Sequence, residues 1–489
     1  MRLINVHTLE MKQYGSSDLK PEYAILSHMW SDDEVLFADY QKAYEESRPD
    51  SQGREHHIDT GKGKIPWKHL LNPDHYQVPK DTGWGKIAWA CNEARNNLKG
   101  GADKSLWIDS CCIDKSKQTE ESESFSLMAQ WYGGAEVCYT YLQDVSNNEL
   151  EYTKKERQHV GAPLDGLGQF GWSRWFDRGW TLQELLAPPH MQFFDYNWDF
   201  IDTRQNLSLE IEAATKIDQR YLNDGRYKEA CIAIKMSWMA NRTTSKVEDT
   251  AYALLGLFGV RMPTDYGEGP AAFIRLQETL IEKYEDQDES IFAWTDPTNQ
   301  LLERRPASRT NIKKLEFYGL LAPWPSCFAN MSSILANSKG KGKRRIPYTI
   351  KNGGIIFHLP AFFSDEGNGI YWNNLRAEKR SKYALNLNCW IAGKENKGSV
   401  VISLARDDQN RRWRRVVEED LMIAKSTRTS HDRFFSRSPK TREAHIPHVP
   451  GKETDRAEEL SHWVMKRDDT LPALGVERKC QWFQQRLKE

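Results

Sequence analysis

Apolar residues in the first 200 positions follow two alternating patterns, short continuous runs and longer segments with helical spacing. The runs, each typical of a buried strand, lie at 23–28, 106–109, 137–142 and 191–195. Between them, apolar side chains recur every three or four residues at 84–98 and 125–135, which predicts helices. This alternation predicts an α/β fold with a parallel sheet that is flanked by helices on both faces.

Residues 43–83, between the first and second runs, are polar and are predicted to form a solvated insertion. The pattern changes again after the fourth run. Helical spacing dominates from about 228 to 296, and short strand-like runs from about 315 to 425 indicate a β-rich part with antiparallel strands. We therefore predict a first domain at 1–220, a helical extension at 221–300, a β-rich C-terminal domain at 301–430, and a flexible tail at 431–489 with a weak helix at 458–465.

The composition limits which partners, metal sites and cellular locations are expected. The net charge of −1 over 489 residues gives no electrostatic reason to expect nucleic acid, and we interpret the basic runs at 339–345 and 411–415 as solvated. The eight cysteines show no zinc-ligand spacing, so no metal site is predicted. No signal peptide and no apolar run of membrane-spanning length occur, which predicts a cytoplasmic protein that does not cross a membrane.

The segment 175–187 carries the most candidate chemistry. Trp180 and Glu184 are four residues apart, so in a helix they share one face. A carboxyl group against an indole in a partly dry site has a raised pKa, which suits acid–base or charge-stabilising work. The alternative is structural: Thr181-x-x-Glu184 also matches a capping box, in which the glutamate only binds the first amide of its own helix.

Other polar residues follow the predicted strands. Ser27 and His28 end the first run, and Asp109 ends the second. Ligands of open α/β sheets bind outside the carboxyl ends of the strands, so we expect these side chains at one edge of the sheet with Glu184 beside them.

Three blocks, taken in order, resemble the fungal heterokaryon incompatibility (HET) domain. They are YAILSHMW at 23–30, LWIDSCCIDK at 106–115 and RGWTLQE at 178–184. Segments at 236–242, 248–256 and 266–269 look like those that commonly follow this domain, so the resemblance covers residues 1–296.

HET domains are considered distant relatives of TIR domains, so the resemblance implies a flavodoxin-like or TIR-like fold. Some TIR domains cleave NAD at the nicotinamide–ribose bond with a glutamate four residues after a tryptophan. Trp180 and Glu184 have that spacing here, although Thr181 stands where the TIR pattern has cysteine. The resemblance thus implies a catalytic role for Glu184. The residues expected to bind the substrate are Ser27, His28, Trp30, Asp109, Arg178 and Trp180.

Two functions follow as hypotheses. In the first, the chain is an NAD glycohydrolase without a cofactor, which triggers cell death during non-self recognition. In the second, it is a non-catalytic signalling scaffold that self-associates through the same fold. The expected partners are NAD or a related nucleotide, further copies of the chain, and an upstream recognition protein.

Overall fold

A computed structural model describes most of the first 336 residues and a set of strands beyond them. The described residues are 1–15, 18, 20–47, 57–99, 101–146, 168–223, 225–283, 288–295, 317–318, 320–336, 348–351, 354–360, 382–387, 389–393, 399–407, 412–416, 422–424 and 441–447. They fall into two compact units. Unit 1 comprises Met1–Thr244, Tyr252–Thr264 and Phe328–Leu335, and unit 2 comprises Ser245–Ala251, Asp265–Cys327 and Ala336–Glu489.

Helices in the described residues are mostly short. They are α1 Phe37–Glu46, α2 Gly83–Asn97, α3 Asp109–Cys112, α4 Gln118–Gly133, α5 Gly168–Trp172, α6 Thr181–Leu186, α7 Ser208–Thr215, α8 Gln219–Leu222, α9 Ile232–Met239, α10 Asp249–Tyr252, α11 Leu255–Phe258 and α12 Ala271–Lys283. Among the residues described, no helix is long and apolar enough to cross a membrane.

A seven-stranded sheet forms the centre of unit 1. Its strands are β1 Arg2–Asn5, β2 Met11–Gln13, β3 Tyr23–His28, β6 Ser105–Trp107, β7 Val137–Tyr141, β8 Met191–Phe194 and β9 Phe200–Thr203, and the hairpin β4 His57–Asp59 and β5 Lys64–Pro66 stands apart from it. The order across the sheet is β2-β1-β6-β3-β7-β8-β9. Every residue of β3, β6 and β7 is buried, as expected for parallel strands covered on both faces.

The four predicted strands pair in parallel. Numbered along the chain, they lie in the order second, first, third, fourth, which is how flavodoxin-like sheets begin. The chain leaves β3 toward one side of the sheet and returns on the other side at β7. The carboxyl ends of β3 and β7 therefore flank the topological switch point, where ligands of such sheets bind.

The sheet is not entirely parallel, however. β1 and β2 at one edge and β9 at the other pair antiparallel with their neighbours. Each of the pairs β1–β2 and β8–β9 is joined by a short loop, which cannot make the long crossover that parallel pairing requires. The predicted α/β class with a parallel sheet flanked by helices is confirmed for the four central strands.

The prediction of a solvated insertion at 43–83 was wrong in part. Trp67 and Leu70 are buried, and the Trp67 ring contacts the rings of Tyr40 and Trp84 at 5.9 and 5.6 Å between centroids. A few apolar residues in a polar stretch show no periodicity, so the sequence pattern did not reveal them.

Unit 2 combines a helix with antiparallel strands. The Gln277 side chain of α12 both donates to and accepts from the backbone of Ala322, at 2.8 and 3.0 Å. Its strands are β10 Phe317–Tyr318, β12 Tyr348–Lys351, β13 Gly354–Pro360, β14 Lys382–Asn386, β15 Cys389–Ile391, β16 Ser399–Asp407, β17 Arg412–Val416, β18 Met422–Ala424 and β19 Thr441–Pro447. The short strand β11, Ile334–Ala336, begins in the part of unit 1 at Phe328–Leu335.

The strands expected in the β-rich region are present at 348–351, 354–360 and 399–407, and they pair antiparallel as predicted. β19 lies within the segment 431–489, which was predicted to be a tail, and it pairs with β13. The helix predicted at 458–465 lies outside the described residues. The four-part domain division stays a prediction.

Candidate functional site

Glu184 lies in α6, which begins at Thr181, with three residues separating it from a 3-10 turn at Arg174–Asp177. The Thr181 hydroxyl at the start of α6 lies 2.6 Å from the Trp175 carbonyl and 2.9 Å from the Arg178 carbonyl. The Glu184 carboxyl does not return to its own helix, because Oε2 accepts a hydrogen bond from Ser27 Oγ at 2.5 Å. The capping-box alternative was therefore wrong.

A buried chain of hydrogen bonds fixes this carboxyl. The Trp175 indole Nε1 donates to Ser27 Oγ at 2.9 Å, and Ser27 donates to Glu184. Ser27 is at the carboxyl end of β3, and both it and Trp175 are fully buried. The Tyr132 hydroxyl of α4 contacts the Glu184 carboxyl as well and lies 3.1 Å from the Leu26 carbonyl. The site is therefore built from Leu26 and Ser27 of β3 and from Tyr132, Trp175 and Glu184, which lie in helices or turns.

Burial, together with the negative charge of Asp109, raises the pKa of Glu184 to about 8. Hydrogen bonds from Ser27 and Tyr132 and the charge of Arg242 act in the opposite direction without overcoming the desolvation. The carboxyl is therefore mostly neutral at pH 7, and a cation placed beside it would favour ionisation.

A second buried cluster continues from the same strand end. His28 Nε2 lies 2.9 Å from Glu34 Oε1, and Glu34 Oε2 accepts from Lys86 Nζ at 2.8 Å. Lys86 also donates to the Met29 carbonyl and to Ser31 Oγ, at 3.0 and 2.8 Å. Burial alone would raise the pKa of Glu34, but the charges and hydrogen bonds of His28 and Lys86 hold it well below its usual range. Glu34 and Lys86 therefore form a buried ion pair.

Among the residues expected at the site, Trp30 is exposed, with 43% of its surface accessible. Its Nε1 donates to Asp109 Oδ2 at 2.8 Å, and the Lys115 ammonium lies 3.5 Å from the ring centroid. Asp109 Oδ1 is 3.9 Å from His28 Nδ1, which is beyond hydrogen-bond length. Asp109 is therefore hydrogen-bonded to the exposed indole and lies next to the buried cluster without a hydrogen bond to His28.

A cavity of about 290 Å³ opens on the other side of Glu34. It is lined by Asp33, Glu34, Val35, Asp39, Asp59, Thr60, Gly61 and Trp84. Glu184 is not part of this lining. Within the part of the chain that the structure describes, no three His, Cys, Asp or Glu side chains are placed to hold a metal ion.

The structure thus brings together most of the residues expected at the site. Ser27 touches Glu184, and His28, Trp30 and Asp109 form the adjoining group. Two other predicted residues make different contacts. The Trp180 ring packs on Phe125 at 4.5 Å between centroids, and the Arg178 carbonyl accepts from Arg242 at 2.7 Å.

Several site residues were missed from the sequence: Trp175, Tyr132, Glu34, Lys86, Lys115 and Arg242. One of them carried a signal. Lys86 lies among the apolar residues of a predicted helix, at Trp84, Ile87 and Ala88, and a lysine on a buried face requires an acidic partner.

Comparison with known proteins agrees with the sequence blocks. The family model of the heterokaryon incompatibility protein (HET) matches residues 23–184. The vegetative incompatibility protein HET-E-1 of Podospora anserina is 34% identical over 265 residues, which is 53% of this chain but only 16% of the relative. No solved structure matches the chain, and the relation to TIR domains stays a prediction. The matched segment contains the parallel strands β3, β6 and β7 and ends at Glu184, so residues 23–184 of this chain are similar to the heterokaryon incompatibility (HET) domain.

Proposed function

We propose that this HET domain cleaves NAD at the nicotinamide–ribose bond, as part of incompatibility-type signalling that leads to cell death. One observation carries the proposal. Glu184 is a buried carboxyl group bound to Ser27 at the carboxyl end of β3, beside the switch point of a parallel sheet. The tryptophan-to-glutamate spacing of NAD-cleaving TIR domains agrees with it.

The chemistry suits a carboxyl group of this kind. When nicotinamide leaves NAD as a neutral base, positive charge develops on the ribose. Water then adds to the ribose and releases a proton, which gives ADP-ribose. An ionised Glu184 would stabilise this charge, and it could also accept a hydrogen bond from a ribose hydroxyl or from the attacking water. The nicotinamide ring of NAD is itself cationic, so its binding beside Glu184 favours ionisation of the carboxyl.

The neighbouring groups fit a dinucleotide. Trp30 offers an exposed ring for stacking, and its orientation is fixed by the hydrogen bond to Asp109. Lys115 brings a cation next to that ring, where a phosphate of the substrate would bind. In this proposal Ser27 and Trp175 hold the carboxyl in place rather than contact the substrate.

Glu184 is only 5% exposed, so substrate entry requires the site to open. We propose that self-association of the chain, started by an upstream recognition protein, provides this opening. Assays should therefore include a clustering or crowding agent as well as the dispersed protein.

The first test is nicotinamide release from NAD by the purified chain. Glu184→Gln keeps the size of the side chain and removes only its ability to ionise, so release should fall to background while the melting temperature does not drop. Glu93→Gln is a matched control, because burial also raises the pKa of Glu93 but its side chain bonds to Asn97 within α2. This control should retain wild-type release.

Absence of release under every clustering condition would contradict the proposal and favour the scaffold. The hydrogen bonds that the buried Glu184 carboxyl accepts from Ser27 and Tyr132 are the observation that suits a purely structural role. In that case toxicity in cells should be the same for Glu184→Gln and the wild type.

The second test is the pH dependence of kcat/KM, which reports the pKa values of the free enzyme. Because the reaction needs ionised Glu184, kcat/KM should rise about tenfold per pH unit below the pKa of about 8 and level off above it. A profile that is flat from pH 6 to 9 would exclude Glu184 as the ionising group.

A further inference from the structure

Arg242 lies beyond the residues that the family model matches, yet it holds the start of the Glu184 helix. Its Nη1 donates to the Arg178 carbonyl at 2.7 Å and to Thr181 Oγ1 at 2.9 Å. Its Nε donates to the Trp238 carbonyl at 3.2 Å. Thr181 is one helical turn before Glu184, so the guanidinium is anchored within the same first turn.

Backbone contacts hold the two segments together. The Gly179 amide donates to the Thr243 carbonyl at 2.8 Å, and the Thr243 amide donates to the Asp177 carbonyl at 2.6 Å. A Cβ atom on Gly179 would come within 2.4 Å of the Thr244 side chain, so a larger residue at this position would displace Thr244. The segment after α9 is therefore an integral part of the site in unit 1.

The Arg242 guanidinium is nine-tenths buried, and its Nη2 has no hydrogen-bond partner among the described residues. A guanidinium keeps its proton in proteins, so this is a fixed positive charge with an unused donor. Burying such a donor without an acceptor costs free energy. The unpaired Nη2 donor therefore indicates that a hydrogen-bond acceptor for Arg242 becomes available in another conformation of the site or when a ligand binds.

We propose that Arg242 is a positioning residue for Glu184, which fixes the first turn of α6 through Arg178 and Thr181 and places a positive charge at that same turn. The catalytic consequence rests on the proposed NAD cleavage, but the charge relation itself does not. In this view the HET domain is functional only together with the segment that follows it.

Four side chains act on the charge of Glu184: Asp109 of α3 disfavours the carboxylate, whereas Ser27 of β3, Tyr132 of α4 and Arg242 favour it. The carboxylate in turn raises the pKa of the Cys138 thiol of β7, and Asp177 is a further negative charge that acts on Arg242. Removing the Arg242 charge alone should therefore move the titration of Glu184 to higher pH.

A second buried arginine provides a matched control. Arg204 holds the other end of α6, where its Nη1 donates to the Leu185 carbonyl at 2.6 Å and its Nη2 donates to the Pro189 carbonyl at 3.2 Å. Replacing Arg204 weakens the support of the same helix, but it does not remove the Arg242 charge that acts on Glu184. A merely structural role would make the two arginines equivalent.

The experiment is infrared titration of the full chain, which needs no substrate. The band of the protonated carboxyl is isolated as the difference between a chain with Glu184 and its Glu184→Gln counterpart. The midpoint is measured in the wild type and in Arg242→Gln, Arg242→Lys and Arg204→Met, with folding checked by circular dichroism. Arg242→Gln retains an amide that can donate to Thr181, and Arg242→Met serves as a second neutral variant.

We expect the midpoint to rise by about one pH unit in the neutral variants of Arg242 and to stay near the wild-type value in Arg242→Lys and Arg204→Met. An unchanged midpoint in the neutral variants, or an equal rise in Arg204→Met, would overturn the proposal. Failure of NAD cleavage would appear separately, as absence of nicotinamide release in the wild type.

Discussion

Glu34→Gln is expected to lower the free energy of unfolding by about 3–5 kcal/mol at pH 7, measured by urea denaturation. The substitution leaves the fully buried Lys86 ammonium without the carboxylate that lies 2.8 Å away. A buried ion that loses its partner retains its desolvation penalty, and the Met29 carbonyl and the Ser31 hydroxyl supply only neutral acceptors.

The pH dependence of this loss follows from the lowered pKa of Glu34. A carboxyl whose folded-state pKa lies below its unfolded value contributes stability above about pH 4.5, and the contribution is lost as the pH falls toward the folded-state pKa. The difference between wild type and Glu34→Gln should therefore be constant from pH 6 to 8 and shrink in acid.

The double variant Glu34→Gln/Lys86→Met decides whether charge is responsible. Removing both ions of a buried pair is often close to neutral, so the double variant should be more stable than Glu34→Gln alone. If Lys86→Met adds a further loss on top of Glu34→Gln, the cluster acts through packing and our account of it is incorrect.

The central strands could be predicted because burial on both faces leaves a pattern within each short stretch of sequence. In β3, β6 and β7 every residue faces a covered side of the sheet, which produces the continuous apolar runs seen in the sequence. The outer strands β1 and β9, which lie outside the four parallel strands, have mixed burial and no such run. Their antiparallel pairing depends on loop lengths and neighbours, which apolar periodicity does not encode.

The position of Glu184 at the sheet edge was also predictable, but its orientation was not. Thr181-x-x-Glu184 fits a cap as well as a site, and no local pattern distinguishes the two. The decision depends on Ser27, which is 157 residues away in the chain and directly adjacent in the fold.

The supporting groups were the least predictable. Trp175 donates its indole N–H to Ser27, and Arg242 donates to Thr181 across a sequence separation of 61 positions. Tryptophan and arginine occur in many structural roles, so their residue types alone gave no reason to place them beside Glu184. Only three-dimensional packing reveals that they act on one carboxyl.

The stability of the fold should itself depend on the titration of Glu184. A carboxyl whose folded-state pKa is raised contributes its full stability below the unfolded pKa of about 4.5 and loses it as the pH rises to about 8. At about 1.4 kcal/mol per pH unit, wild type should lose about 4–5 kcal/mol relative to Glu184→Gln between these values. Parallel urea denaturation series at pH 5 and pH 8.5 measure this difference.

Glu93→Gln should show a smaller change with pH, because Glu93 is only half-buried and bonds to Asn97. If the stability difference between wild type and Glu184→Gln were the same at pH 5 and pH 8.5, Glu184 would ionise without cost, and the dry site inferred from its burial would not exist. If Glu184→Gln instead gains stability at pH 8.5 and loses nicotinamide release, both effects have the same cause, the removal of a buried carboxylate. Desolvation destabilises the Glu184 carboxylate in the empty site, and the same low polarity strengthens its attraction to a cationic nicotinamide. Substrate binding would therefore offset the stability that the fold loses when Glu184 ionises.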